Sequence, residues 1–391
     1  MISGPPGVIL EALHYRSREP VRISLEGRRI RSISKLRRVK RDLPLIAPGL
    51  VDLHINGYRG HDFNAPATGA ANFELAVKEL HAVGVTTLLP TLVTCAARDL
   101  EELIIGVRSA CRASRWVRNA VAGLHLEGPF ISPEDGARGV HDLRFVRAPE
   151  AAALDRWQRV AQGSIRMITL SPEWKGAEDF IRHCRARRVA VSIGHTAALP
   201  ERIAAAVQAG ARFSTHLGNG SHLLLPRHHN YFFEQLADDR LQAMLIADGF
   251  HLPPALLKVI LRVKGRSALL VSDAVALAGC APGTYASPVG GRVVLTPEGR
   301  LHPEENPNLL AGSAQPLIAG VENLVSMGFL TLPEAWERAS LLPAAALGLP
   351  CRKGLTTGAP ADVVLFRMRK GKAEISSVYK GGQCVYAQSG G

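Results

Sequence analysis

Short apolar runs alternate with longer amphipathic segments along most of this chain, beginning at Leu50. The runs are about four to eight residues long and apolar on both faces, which is typical of strands in a parallel sheet covered by helices. The intervening segments are rich in Ala, Leu, Glu and Arg and predict helices. The eight predicted strands are Leu50–Leu53, Val85–Leu92, Val121–Leu126, Ile165–Leu170, Val189–Ile193, Ala211–Thr215, Ala243–Ala247 and Ala268–Ser272.

Eight strand-helix units predict an α/β fold, a closed (β/α)8 TIM-like barrel. A doubly wound open sheet is the alternative, but it would not by itself bring so many polar strand ends together. Two further helices are predicted at Ala314–Met327 and Pro333–Leu347. Residues 1–47 and 351–391 show short strand patterns, and we expect them to pair into one small β-sandwich domain beside a barrel of residues 48–350.

Composition places the chain among globular proteins, with 47% hydrophobic and 21% charged residues over 391 positions. No uncharged apolar run approaches the roughly 18 residues of a membrane helix. The N-terminus lacks a signal pattern, since Gly7–Leu10 is followed at once by Glu11. The six cysteines form no Cys-x-x-Cys pair, which favours reduced thiols. These features predict a cytoplasmic enzyme with no membrane partner.

The formal net charge of +13 is unusual, and much of it is concentrated near the N-terminus. Such a run could bind nucleic acid or an anionic surface. Apolar residues alternate with these charges, however, as on the solvated face of a small sheet, and we expect no nucleic-acid partner. The basic residues are Arg28, Arg29, Arg31, Lys35, Arg37, Arg38, Lys40 and Arg41.

Polar residues stand at the carboxyl ends of the predicted barrel strands. Glu127 ends the third strand, because Gly128-Pro129 stops it, and His195 and His216 end the fifth and sixth. One carboxylate and two imidazoles that share one barrel mouth predict a three-ligand metal site with an open position. The remaining polar strand ends are His54, Asp248 and Asp273.

Seven motifs together resemble one known family from about residue 48 to the C-terminus. The motifs span residues 48–54, 125–129, 194–196, 215–217, 247–251, 272–274 and 310–313. With these motifs the chain looks like an N-acetylglucosamine-6-phosphate deacetylase of the amidohydrolase superfamily.

The resemblance implies metal-dependent hydrolysis of N-acetylglucosamine 6-phosphate to glucosamine 6-phosphate and acetate. It implies Glu127, His195 and His216 as metal ligands, Asp273 as the general acid and base, and His141 as the group that polarises the amide carbonyl. It further implies a homodimer whose sugar-phosphate site includes an arginine of the second subunit. The implied substrate-binding residues are Asn219, Gly220, Arg227, His251, Leu310, Ala311 and Gly312.

Three segments depart from the family pattern. The first strand carries His54-Ile55-Asn56 where many relatives have His-x-His, so we expect one divalent ion per subunit, although His54 leaves a second position open. Residues 217–222 also differ, which reshapes the wall of the sugar pocket. Residues 228–231 differ as well, directly after Arg227, which could clamp a phosphate or could equally be a solvated loop charge. Zinc is the preferred ion, and iron, manganese and cobalt suit the same ligands.

Two other interpretations remain. The enzyme could deacylate an unphosphorylated N-acyl amino sugar or amine, which the altered pocket loop would favour. A basic nucleic-acid-binding protein on a barrel scaffold is the other, and it predicts affinity that falls steeply with salt. Dihydroorotase-like branches are disfavoured, because strand four ends in Leu170-Ser171-Pro172-Glu173 without a bridging lysine.

Overall fold

The computed structural model describes residues 7–38, 42–65, 69–287 and 291–388. Within them the strands are β1 Val8–His14, β2 Pro20–Glu26, β3 Arg29–Lys35, β4 Leu45–Pro48, β5 Leu50–Ile55, β6 Gly57–Tyr58, β7 His61–Asp62, β8 Val85–Val93, β9 Leu124–Glu127, β10 Ile165–Leu170, β11 Ala190–Ile193, β12 Phe213–Ser214, β13 Gln242–Ile246, β14 Ala268–Val271, β15 Gly283–Ser287, β16 Gly291–Leu295, β17 Leu301–Pro303, β18 Val363–Arg369, β19 Lys372–Lys380 and β20 Gln383–Ala387.

The α-helices cover the outside of the barrel or follow it in the chain. They are α1 Ala70–Ala82, α2 Ala97–Ala113, α3 Arg115–Ala120, α4 Ala151–Val160, α5 Ala177–Ala186, α6 Pro200–Ala209, α7 Tyr231–Ala237, α8 Pro254–Lys264, α9 Leu317–Ser326, α10 Leu332–Arg338 and α11 Leu341–Ala346. None of these helices is both long and apolar enough to cross a membrane.

Eight parallel strands form the predicted barrel, in the order β14-β13-β12-β11-β10-β9-β8-β5. The strands are buried on both faces because helices cover them outside and side chains fill them inside. The barrel closes just beyond β14, where Asp273 N donates to His54 O at 2.8 Å and Asn56 N donates to Ala274 O at 2.8 Å. All eight predicted barrel strands are confirmed.

The head and tail of the chain form one seven-stranded sheet, in the order β20-β19-β18-β4-β1-β2-β3. This sheet curls, since Ile30 N of β3 donates to Ala359 O at 2.9 Å and Gly358 N donates back to Ile30 O at 2.8 Å. The sheet therefore encloses its own apolar cluster, which includes Ile23 and Val363. The predicted pairing of head and tail is confirmed. Val39, Lys40 and Arg41 of the basic run lie outside the described residues.

Two local features differ from the sequence prediction. The helix expected at Pro333–Leu347 is two helices, α10 and α11, separated at Ala339 and Ser340. The reason is Pro343, which has no N–H for a helix interior and is tolerated here because it lies in the first turn of α11. The prediction also omitted a three-stranded sheet, β15-β16-β17, between the barrel and the turn at residues 310–312.

None of the six cysteines forms a disulfide in the structure: Cys95, Cys111, Cys184, Cys280, Cys351 and Cys384.

Candidate active site

The predicted polar strand ends meet at one mouth of the barrel. Glu127 is the last residue of β9, and His195, His216 and Asp273 each follow the end of β11, β12 or β14 by two residues. His54 lies inside the end of β5. Because the strands are parallel, these side chains converge at the carboxyl face, where barrel enzymes collect their functional groups.

Three donor atoms form a nearly equilateral triangle. Glu127 Oε1 lies 3.2 Å from His195 Nε2 and 3.1 Å from His216 Nε2, and the two Nε2 atoms are 3.0 Å apart. Ligands about 2.1 Å from a tetrahedral ion would be separated by about 3.4 Å, so a small expansion of this triangle fits a divalent metal. All three residues are at least nine-tenths buried, which is unfavourable for such a cluster without a cation. The geometry therefore fits the metal site proposed from the sequence.

The hydrogen bonding of His195 suits a ligand role. His195 Nδ1 lies 3.0 Å from Ala137 O, a carbonyl that can only accept, so Nδ1 carries the proton and donates it. The lone pair of Nε2 then points towards Glu127 and His216. A carbonyl that fixes the tautomer and ring orientation in this way is the usual support of a metal-binding histidine.

The chain turns sharply after each of these strands. His195, His216 and Asp273 have φ values of 48°, 28° and 47°, in the left-handed region that non-glycine residues rarely adopt. Each such residue costs on the order of 1–3 kcal/mol, which the surrounding packing must offset. The residues with these strained φ values are two candidate metal ligands and the candidate base. Such strain is expected where the geometry of a functional site determines the backbone conformation.

Asp273 contacts His54 and Asn56. Its Oδ1 lies 3.1 Å from His54 Nε2 and accepts a hydrogen bond of 2.7 Å from Asn56 Nδ2. His54 Nε2 is also 3.2 Å from Glu127 Oε2. The set His54, Glu127 and Asp273 is thus a second group with metal-ligand spacing, and it shares Glu127 with the first. Asn56 positions the carboxylate of Asp273, a role that the sequence did not indicate.

The charges of Glu127 and His54 at the mouth influence each other. Burial would raise the pKa of Glu127, but the charge of His54 and its hydrogen bond hold it well below its usual value. Burial would lower the pKa of His54, but the charges of Asp273 and Glu127 raise it to about 9. The mouth therefore presents an ionised Glu127 carboxylate beside a cationic His54, and a bound cation would stabilise that carboxylate in the same way.

His141 is the last of the candidate catalytic residues at the barrel mouth. Its Nε2 lies 3.3 Å from His195 Nε2, and burial followed by the charge of His195 lowers its pKa to about 3. A neutral imidazole at this place can donate one N–H to a carbonyl oxygen. Glu127, His141 and His195 also have metal-ligand spacing.

Several predicted substrate residues surround this group. Asn219 Nδ2 donates to His216 O at 3.2 Å, and Gly220 is so close to His195 that a Cβ would lie 2.7 Å from Nδ1. The turn Leu310–Gly312 lies beside the end of β14, because Val275 N donates to Ser313 O at 3.0 Å. The structure thus brings both turns to the mouth.

Two other predicted substrate residues have different surroundings. His251 Nδ1 lies 2.7 Å from Asp248 Oδ2, so Asp248 holds the His251 ring. Arg227 is exposed in the loop of residues 223–229. Across the described part of the chain, no hydrogen bond or ion pair links Arg227 to the residues of the mouth.

A hydrogen-bonded layer beneath the site was not predicted. His125 Nε2 lies 2.8 Å from Thr169 Oγ1, and Thr215 Oγ1 lies 2.7 Å from Thr169 Oγ1 and 2.6 Å from Ser192 Oγ. These buried polar side chains satisfy one another and support the strand ends that carry Glu127 and His195. The sequence feature that could have predicted this layer was the presence of polar residues within otherwise apolar strands.

Comparison with known proteins agrees with this geometry. Residues 45–385 match the amidohydrolase family. The chain is 34% identical to the N-acetylglucosamine-6-phosphate deacetylase of Bos taurus over 88% of its length and 83% of the bovine protein. It is also 34% identical to the N-acetylgalactosamine-6-phosphate deacetylase of Escherichia coli O157:H7, over 83% of this chain and 84% of that protein.

A solved structure gives the same picture. An aspartate-to-alanine mutant of the Mycobacterium smegmatis N-acetyl-D-glucosamine-6-phosphate deacetylase, in complex with N-acetyl-D-glucosamine-6-phosphate, superposes with a TM-score of 0.85 at 28% identity. The match covers 97% of this chain and all of the mycobacterial chain. On sequence and fold, this chain belongs to the N-acetylglucosamine-6-phosphate deacetylase family of amidohydrolases.

Proposed function

We propose that this protein hydrolyses the acetamide of N-acetylglucosamine 6-phosphate to give glucosamine 6-phosphate and acetate. The observation that carries the proposal is the buried triangle of Glu127 Oε1, His195 Nε2 and His216 Nε2, with Asp273 beside it. A deacetylase needs a polarised carbonyl, an activated water and a proton for the leaving amine, and this mouth contains a group suited to each task.

Glu127, His195 and His216 would hold one divalent ion, for which zinc is our first choice. Such an ion supplies Lewis acidity to the substrate carbonyl and to the attacking water. The second group, with His54 and Asp273, shares Glu127, and Asn56 in place of a further imidazole makes a complete second set of ligands less favourable.

Asp273 is the proposed general base and acid. Its carboxylate would accept the proton of the water and return it to the nitrogen of the departing amine. Asn56 and His54 hold one oxygen, Oδ1, at 2.7 and 3.1 Å, which leaves the other oxygen available for proton transfer. His141, which is neutral, would donate a hydrogen bond to the carbonyl oxygen as negative charge develops on it.

The 6-phosphate would be bound by Arg227 of a second subunit together with His251 and the Asn219-Gly220 turn. The exposed position of Arg227 supports this arrangement, because an exposed guanidinium is accessible to a second subunit. Leu223 and Leu224, which are 92% and 89% exposed, precede it and offer an apolar surface to a partner. A guanidinium pairs with two phosphate oxygens at once. We therefore propose a homodimer. We also propose that the protein is located in the cytoplasm.

The test is acetate release by zinc-reconstituted protein across a panel of N-acetyl sugars. We expect the 6-phosphates to be hydrolysed far faster than the free sugars. N-acetylgalactosamine 6-phosphate belongs in the panel because one relative acts on that epimer. Absence of acetate from every member would contradict the proposal.

A second candidate is a deacylase for an unphosphorylated N-acyl amino sugar or amine. It is favoured by the altered pocket loop, which has glycines at positions 218 and 220. Equal rates on phosphorylated and free N-acetyl sugars would select this candidate.

A further inference from the structure

Two segments that follow different barrel strands are joined beside the active site. The first, residues 132–141, follows β9 and includes Ala137 and His141. The second, residues 218–230, follows β12. His222 of the second segment contacts Glu134 and Gly136 of the first, and sequence reasoning gave His222 no role.

The hydrogen bonds of His222 define one tautomer. Its backbone N–H donates to Tyr231 Oη at 2.9 Å, so the hydroxyl proton of Tyr231 is free to be donated to His222 Nδ1, 3.0 Å away. His222 Nε2 then carries the ring proton and donates it to Glu134 Oε2 at 3.2 Å. Tyr231, His222 and Glu134 therefore form a directed chain of hydrogen bonds, which we call the clasp.

Close packing reinforces the clasp. Gly136 has a φ of +87°, and a Cβ there would lie 3.0 Å from the Cα of His222. The same segment contacts the candidate metal site, because Ala137 O accepts the proton of His195 Nδ1 at 3.0 Å. Gly139 packs on His195 as well, since a Cβ there would lie 3.4 Å from Cε1. The position of Ala137 O thus depends on a segment that the clasp holds from outside.

We propose that His222 is a positioning residue for the metal site. This proposal rests on the proposed function, since it assumes that His195 binds a metal. Through Glu134 and Gly136, His222 keeps Ala137 O aligned with His195 Nδ1, which fixes the direction of the His195 Nε2 lone pair. The same segment presents His141 to the substrate carbonyl. His222 itself touches neither the metal nor the reacting atoms.

The expected effect is modest. Partners that hydrogen-bond a metal ligand directly are worth about 10–100-fold in metal affinity. His222 acts one step further out, and its carboxylate partner is 61% exposed, so solvent weakens the pair. We expect loss of the clasp to weaken zinc affinity by about three- to tenfold.

The experiment measures zinc affinity by competition with a chromophoric chelator, using the full-length protein. The variants are His222→Phe, which keeps a ring but has no polar atom, Glu134→Ala, and the double variant. We expect each single variant to lose about the same three- to tenfold and the double variant to lose no more than the larger single loss. His222→Gln retains a donor for Glu134 and should recover part of the affinity. Thermal melting of each variant shows whether it is folded.

His183→Phe is the matched control. His183 Nε2 makes a similar contact of 2.9 Å with Asp155 Oδ1, on α5 and α4 at the outside of the barrel. This control should keep the wild-type zinc affinity. Wild-type affinity in folded His222→Phe, no recovery of affinity in folded His222→Gln, or losses that multiply in the double variant would overturn the proposal.

Acetate release measured on the same samples separates the two ideas. If the wild-type protein releases acetate but the His222 variants keep the wild-type zinc affinity, the positioning role alone is contradicted. A protein whose zinc affinity responds to His222 but that releases no acetate from any sugar would contradict the proposed function alone.

Discussion

The inner mouth of the barrel and the loop above it are built in opposite ways. The candidate ligands Glu127, His195 and His216 are 3, 7 and 3% exposed, and Glu127 Oε1 is in close contact with the Nε2 atoms of both histidines. The loop of residues 223–229 is exposed throughout, and Leu223 at its start is 92% exposed. The residues proposed for the chemistry therefore contact one another within one chain, whereas Arg227, which is proposed to bind phosphate, lies in an exposed loop. If that difference is functional, variants in the two regions must fail in different ways.

The largest effect is expected from the metal ligands. Glu127→Ala, His195→Ala and His216→Ala should each lose nearly all bound zinc and nearly all deacetylase activity, because each removes one corner of the triangle. Metal content after dialysis, measured by plasma mass spectrometry, checks this. His183→Ala is the control and should keep stoichiometric zinc. Retention of stoichiometric zinc by all three variants would mean that the site is wrongly assigned.

Asp273→Asn should affect the chemical step instead. The amide keeps the size of the side chain and can still accept a hydrogen bond from Asn56, so zinc and substrate should bind normally. Activity should fall by about 10²–10⁴-fold, the usual contribution of a positioned acid and base. Single-turnover acetate release and zinc content, measured on one sample, separate the two effects. A fully active Asn variant would remove Asp273 from the mechanism.

The inner mouth was predictable from the sequence because strand topology carries the information. Apolar runs such as Ile165–Leu170 identify the barrel strands, and a parallel barrel places every residue that follows such a run at one face. Glu127 and His216 could be grouped without any knowledge of distances. The motif resemblance then supplied roles, such as that of His141, which position alone does not provide.

Other contacts could not be predicted because they depend on how loops pack. Asn56 meets Asp273 across 217 positions, and His222 meets Glu134 across 88. Neither pair has a periodicity or a spacing that signals contact. The sheet β15-β16-β17 is a different case, because Gly291 and the Pro297–Gly299 segment are turn signals between short apolar runs that could have been used.

Arg227→Ala should sharpen the comparison, because it removes the proposed phosphate contact and leaves the inner mouth intact. We expect kcat/KM for N-acetylglucosamine 6-phosphate to fall by about 30-fold, or ~2 kcal/mol, as for a charge-assisted pair with one partner removed. Hydrolysis of free N-acetylglucosamine should hardly change, and zinc content should not change. Equal losses on both sugars would show that Arg227 is structural and would favour the unphosphorylated substrate.

Subunit mixing tests whether Arg227 acts across a dimer. Arg227→Ala protein has an intact Asp273, and Asp273→Asn protein has an intact Arg227, so a mixed dimer would contain one competent site. We expect activity on the phosphorylated substrate to rise well above that of either variant after the two are unfolded together and refolded. No recovery in verified mixed dimers would place Arg227 in its own subunit's site.

The smallest effect on a single chain is expected from Leu224→Asp. Leu224 is 89% exposed, so the free energy of unfolding of one subunit should change by less than about 0.5 kcal/mol, as for other surface positions. If the loop packs against a partner, however, a buried carboxylate would be costly, and the protein should become monomeric in sedimentation experiments while it keeps its zinc. Ile9→Asp, at a residue of the small sheet that is 61% exposed, should leave the association state unchanged.

A monomeric Leu224→Asp protein should then resemble Arg227→Ala in its substrate preference, because both would lack the partner's guanidinium. A variant that stays dimeric and fully active would show that the apolar loop is simply solvated, and the recognition half of the site would have to be sought within one chain.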